Sequence, residues 1–190
     1  MRLPLTEPLA ALFERFRQNR DGASGIEFAL LLPLMLLLLA GLVDLGQGLT
    51  VRRKVAQIAS TTGEIVAMQN TWSKASVGTI LSGVSSILQP YDDDGLTVVL
   101  CVVDIATNGK ATVNWSAAYG TTALSAGQDS PVEVPKKLQE KDVQMVVTRV
   151  QYKLDTVFSG LFKSFTGGGA YEYDQYFFIR PRNGDTITYG

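Results

Sequence analysis

From Phe28 to Val43 the chain runs for sixteen residues without a charged side chain, and Glu27 stands at the mouth of that run, five residues after Gly22. A carboxylate at the threshold of a hydrocarbon layer is costly unless something neutralises it, so its presence there calls for a function. The stretch 26–43 amounts to about 27 Å of helix at about 1.5 Å per residue, slightly less than a typical hydrocarbon core of about 30 Å. It spans with local thinning of the bilayer. Beyond Asp44, the positions Leu45, Leu49, Val51, Val55, Ile58, Ala59, Thr62 and Val66 largely keep the threes and fours of a helix. The spacing therefore predicts one helix from Ile26 to Met68, roughly 65 Å long, with about half of it outside the lipid. Gly41, Gly46, Gly48 and Gly63 weaken it locally, and Pro33 removes one backbone hydrogen bond and invites a kink. Asp44 falls where the helix leaves the lipid. It reads equally as a solvated acid paired with Arg52 or the headgroups and as a second functional charge.

Three fates fit an apolar run near an N-terminus. A removable secretory signal has a core of about 7 to 15 residues followed by a small-x-small cleavage site, whereas this run is longer and Leu38-Leu39-Ala40 makes a poor site. A plain single-pass anchor accounts for the run and for the basic residues Arg15, Arg17 and Arg20 ahead of it, but gives no reason for Glu27. Charge bias does not decide orientation, because Arg52, Arg53 and Lys54 on the far side nearly balance the leader.

Charge and composition then exclude whole classes of chemistry. Seventeen basic residues stand against eighteen acidic ones, spread along the chain, so no positive stripe exists to follow nucleic-acid phosphates. The absence of histidine removes the commonest general base and metal ligand. Cys101 is the one cysteine, which rules out an internal disulfide, and its apolar surroundings in 96–105 read as a buried thiol rather than a nucleophile. No convergent acid, base and nucleophile stands out, and the chain reads as non-enzymatic, without cofactor or metal.

The segment Arg20-Asp21-Gly22-Ala23-Ser24-Gly25-Ile26-Glu27-Phe28, followed by Ala29-Leu30-Leu31-Leu32-Pro33-Leu34, resembles the start of the TadE/TadG-like minor pseudopilins of the tight-adherence (Tad, or Flp) pilus system, within the wider type IV pilin superfamily. The resemblance implies cutting by a prepilin peptidase between Gly22 and Ala23, which places Glu27 fifth and Phe28 sixth in the mature chain. A cut at Gly25 would leave Glu27 second. Gly41-Leu42-Val43-Asp44-Leu45-Gly46 is similar to the family's apolar-acid-glycine stretch, and Arg180-Pro181-Arg182 to a frequent ending. The likeness is strong over residues 20 to 65 and loose beyond. It implies processing at Gly22 and Ala23 and assembly through Glu27 and Phe28. The implied partners are other pilin and pseudopilin subunits, the prepilin peptidase, the inner-membrane assembly platform and the bilayer. The implied location is the bacterial inner membrane, N-terminus cytoplasmic and C-terminal domain periplasmic. The physical logic stands beside the name: Ala23 would carry a free ammonium near the bilayer, and Glu27 of an adjacent subunit could neutralise it, enforcing axial register.

The rest reads as a small soluble domain. Val77, Ile80, Leu81, Val84, Ile87 and Leu88 mark one face of a helix ending before Pro90, and Tyr91-Asp92-Asp93-Asp94-Gly95 makes a turn whose acids lack the spacing of an EF-hand. Residues 96–105 are apolar on both faces, as in a covered strand. Val113, Trp115, Ala117 and Tyr119 alternate with polar residues, as in a half-buried one. A polar connection over 120–142, carrying Pro131 and Pro135, is expected to cross the sheet. Further strands are expected at 143–154 and 171–180, separated by Phe158-Ser159-Gly160-Leu161-Phe162 and by Gly167-Gly168-Gly169, which lacks the lysine of a phosphate loop. The Asp-x-Ser-x-Ser metal site of a von Willebrand A domain, carried by some larger TadG-like proteins, is not matched at Asp104-Ile105-Ala106-Thr107, which favours the smaller TadE-like type. The expected fold is α+β, a long transmembrane helix continuing into a small C-terminal domain with a mostly antiparallel sheet of about four strands packed on helices. The expected division is a cleaved leader over 1–22, the helix over 23–69 and the domain over 70–190.

Overall fold

The computed structural model describes residues 22–106, 108–139, 143–156, 158 and 171–190. The leader before Gly22, the connection after Phe158 and its triple glycine lie outside the described residues.

A single helix, α1, runs over Ala23–Ala67 and continues through Pro33. The leucine-rich stretch favours it: unbranched leucine and alanine lose little rotamer freedom in a helix. One compact unit ends at Val43, and a second comprises Asp44–Gly190. Up to Leu39 every described side chain of the helix is exposed, whereas from Asp44 onward one face is buried through Val51, Val55, Ile58, Ala59, Val66 and Ala67. The pattern changes from all-round apolar to amphipathic, as in a helix that gains a protein core on one face.

After α1 come a two-residue strand β1 (Thr71–Trp72) and helix α2 (Lys74–Ser85). Ser73 caps α2 by accepting from the Ser76 amide at 3.2 Å, and its apolar face buries Val77, Leu81 and Val84. A 3-10 turn over Ser86–Leu88 closes it before Pro90, as the spacing predicts. Lys54 Nζ donates to the carbonyls of Ile87 and Gln89, 2.8 Å each, tying this end to α1.

Strands β2 (Thr97–Ile105), β3 (Ala111–Tyr119), β4 (Gln144–Leu154) and β5 (Tyr171–Ile179) form one antiparallel sheet in the order β3-β2-β4-β5. Because β3 and β4 flank β2 and run the same way, the chain between them must cross β2 on one face of the sheet. It does so as the polar connection, which buries Val134 and packs Leu124 and Leu138 against that face. The same connection covers the outer edge of β3: the Val113 amide donates to Gln128 O and the Gly127 amide to Val113 O, 2.8 Å each.

Two cores result. Val98, Leu100 and Val102 of β2 with Val146, Val150, Tyr152 and Leu154 of β4 meet the two helices. Cys101, Val103 and Ile105 with Met145 and Val147 face the connection. Strand β3 holds a surprise. Its buried residues are all odd-numbered, yet Trp115 and Ala117 belong to the helix-side core while Ala111 and Val113 belong to the other. The register explains it: Val102 pairs with Trp115 and Val103 with Val113, so Asn114 is an extra residue that exchanges the faces.

A short strand, β6 (Thr188–Tyr189), pairs parallel with β1 and was not expected from the sequence.

Candidate functional site

The residues singled out for processing and assembly lie together at the start of α1. Gly22 is exposed in a turn, and its carbonyl accepts from the Ile26 amide at 3.2 Å. Ala23 opens the helix and Glu27 follows four positions later, so the two share a face one turn, about 6 Å, apart. Glu27 is exposed and has no ion-pair partner among the described residues. Phe28 is 60% exposed, and the apolar side chains of Leu30, Leu34, Leu38 and Leu42 are likewise bare. The helix over Ser24–Ala67 includes an apolar window that is long enough to cross a membrane and has none of its surface buried in the protein.

The second acid of the helix has a different environment. Asp44 is only 5% exposed, against one of the two readings the sequence left open, a solvated acid paired with Arg52 or with headgroups. Tyr171, at the start of β5, donates its hydroxyl to Asp44 Oδ2 at 3.2 Å, and Oδ1 is buried without a partner. One turn on, Tyr173 donates to the Gly48 carbonyl at 2.7 Å. Gly48 permits that approach: a Cβ there would lie 3.2 Å from the Tyr173 hydroxyl and 3.4 Å from the Tyr171 ring. Burial pushes the Tyr171 phenol up, and the neighbouring Asp44 charge adds to this. Burial, and then the Tyr171 phenol, push Tyr173 up to about 12. Both hydroxyls therefore remain protonated donors at neutral pH. Spacing singled out Asp44 but could not identify its partner, which lies 127 residues away in sequence.

Strand β5 presents two unlike faces. Tyr171, Tyr173, Phe177 and Ile179 pack towards the helix-side core. On the other side Tyr176 is 57% exposed and sits edge-on to Phe178, 5.7 Å between ring centres. Beside them Arg149 of β4 grips Asp174 of β5, Nε to Oδ1 at 3.0 Å. That hydrogen bond and charge hold the Asp174 carboxyl below its ordinary range.

The acidic turn directs its side chains to separate tasks. Asp92 Oδ1 accepts from the Asp94 amide at 3.0 Å, and Asp93 Oδ2 accepts from the Tyr119 hydroxyl at 2.6 Å. Among the described residues no three of His, Cys, Asp and Glu converge as a metal site would require.

Residues 22–63 match the family model described as TadE-like protein. The matched segment begins at Gly22 and covers the apolar run, Asp44 and most of the helix. No curated protein and no solved structure matches the chain. The match covers the membrane-length helix and leaves the domain beyond residue 63 outside it. The one apolar N-terminal helix fits a single-pass membrane protein.

Proposed function

We propose that this protein is a minor pseudopilin: a non-enzymatic subunit, cut by a prepilin peptidase between Gly22 and Ala23, that helps initiate, prime or cap a Tad pilus and thereby supports surface adhesion. The observation that carries the reading is Glu27, an exposed carboxylate one turn into a bare apolar helix and on the same face as Ala23. Cleavage would give Ala23 a free ammonium. Each charge alone in a low-dielectric site is costly, and pairing Glu27 of one subunit with the Ala23 ammonium of the next would relieve both. The pair would set axial register while the apolar faces of neighbouring helices pack. Phe28 would add an aromatic contact beside the pair. In this reading the chain sits in the bacterial inner membrane with its leader cytoplasmic and residues 70–190 periplasmic, and is drawn by the assembly platform into the pilus.

Intact-mass measurement on protein from its native envelope tests the first step, with Ala23 expected as the first residue. A protein still beginning at Met1 would leave an uncleaved envelope protein with a periplasmic binding domain. Glu27→Ala tests the second step, and should abolish incorporation into pili while membrane insertion and the fold of Asp44–Gly190 persist. Wild-type assembly by that variant would remove Glu27 from the mechanism.

A further inference from the structure

The apolar surface of α1 does not end where its first acid after Glu27 appears. Leu42, Leu45 and Leu49 are 68%, 52% and 49% exposed, at helical spacings of three and four. Between Glu27 and Arg52 the one formal charge is Asp44, and its carboxylate lies under Tyr171 instead of on the outer surface. Thr50, the next exposed polar side chain, turns its hydroxyl back onto the Gly46 carbonyl at 2.8 Å, so its donor is already satisfied within the helix. Gln47 is half-buried. The first exposed charges are Arg52 and Arg53. Counted along the helix, 26–49 corresponds to about 36 Å at about 1.5 Å per residue, a length that ordinary tilt of about 20° reduces to about 34 Å of depth, whereas stopping at Val43 leaves about 27 Å, which no tilt can stretch to a hydrocarbon core of about 30 Å.

We infer that the lipid contact of α1 extends about one and a half turns past Asp44 to Leu49, that Asp44 is carried at membrane depth beneath Tyr171, and that Arg52 and Arg53 bind the phosphate layer of the same bilayer. The inference rests on the membrane-spanning reading of α1. The bilayer is the occupant because the Leu42-Leu45-Leu49 surface is continuous in sequence and periodicity with the spanning run, and because guanidinium groups one turn beyond it match the anionic phosphates at the edge of the hydrocarbon. The half-buried phenols of Tyr171 and Tyr173 then fall at the depth where aromatic rings with one polar end concentrate in membrane proteins.

The test uses the full chain in phosphatidylcholine–phosphatidylglycerol vesicles at high dilution, with an environment-sensitive fluorophore on single cysteines. Leu36→Cys, Leu45→Cys, Leu49→Cys and Gln57→Cys report four depths, and buried Cys101 should stay unlabelled, as an unsubstituted control checks. Spin-labelled lipids should quench the Leu45→Cys and Leu49→Cys labels within a factor of about two of Leu36→Cys, while aqueous iodide quenches Gln57→Cys. Adding phosphatidylglycerol to phosphatidylcholine vesicles should raise lipid quenching of the Leu49→Cys label, and Arg52→Gln with Arg53→Gln should remove that rise; a rise that persists in the double variant would overturn the assignment of the two arginines. Iodide quenching at Leu49→Cys alongside lipid quenching at Leu36→Cys would overturn the inference and spare the spanning reading. Iodide quenching at Leu36→Cys would overturn both. A Leu49→Cys label shielded from both quenchers would also overturn it, by showing a protein partner on that face.

Discussion

Cys101 shows how burial alone sets the chemistry of a residue. The thiol is fully buried among Val103, Ile105, Met145 and Val147, and burial raises it from the ordinary 9.0 to about 12. Thiol reagents at pH 8 should leave the native protein unlabelled and react once it is denatured; rapid native labelling would contradict the packed second core. The same shift fixes the sign of a pH effect. Above about pH 9 an unfolded chain releases the thiol proton that the folded chain retains, so stability should fall as pH rises towards about 12. Tyr173, displaced from 10.0 to about 12, acts in the same window. Denaturant titrations across that range should lose part of their alkaline slope in Cys101→Ala and part in Tyr173→Phe. The latter should also cost about 1 kcal/mol at neutral pH by removing the bond to Gly48. The sequence made the character of Cys101 legible because an apolar stretch is a local property. It left Asp44 undecided because Tyr171 reaches it only through the tertiary fold.

At the level of elements, α1 packs closely on the sheet at Gly63. A Cβ there would lie 3.0 Å from Phe177 Cδ1, 3.3 Å from Thr148 Oγ1 and 3.4 Å from Ile179 Cγ2. Gly63→Leu should therefore destabilise the domain by about 1–3 kcal/mol, because four side-chain carbons must displace both β4 and β5. Gly78 gives the contrast, since it lies exposed on α2 with nothing within 4 Å. Gly78→Ala should stabilise by about 0.5–1 kcal/mol, and urea melts of the two variants should shift in opposite directions. Sequence periodicity predicted both helices and all four long strands, because each repeats its pattern over many residues. It could not detect the bulge at Asn114, since odd-numbered burial continues unbroken from Ala111 to Ala117 while the face changes. It also missed β1 and β6, whose two residues apiece carry no periodic signal.

Across Asp44–Gly190 the fold is closed by its last residues, which return to the end of α1. The Arg182 amide donates to Ala67 O at 2.8 Å, Asn183 Nδ2 to Met68 O at 2.7 Å and the Thr188 amide to Asn70 O at 2.8 Å. Gly190 and Trp72 complete the seam, amide to carbonyl at 3.0 Å. The same segment fastens to β3 and β4. Trp115 Nε1 donates to Ile187 O at 2.9 Å, its ring stacks on Tyr189 with 4.4 Å between centres, and the Ile187 amide donates to Gln144 Oε1 at 2.6 Å. Ile187, 1% exposed, is thus packed where helix, sheet and terminus meet. Ile187→Ala should cost about 2–5 kcal/mol, read as a lower urea midpoint. Deleting 186–190 should do more: Trp115 loses both its stacking partner and its acceptor, so its emission should shift to the red. Proteolysis should then open α2, whose Lys74 amide is bonded to Gly190 O at 3.2 Å. Membrane insertion should survive, because the run up to Val43 belongs to the other compact unit. A truncated chain with unchanged tryptophan emission and urea midpoint would mean that the sheet and helices hold together without this closure.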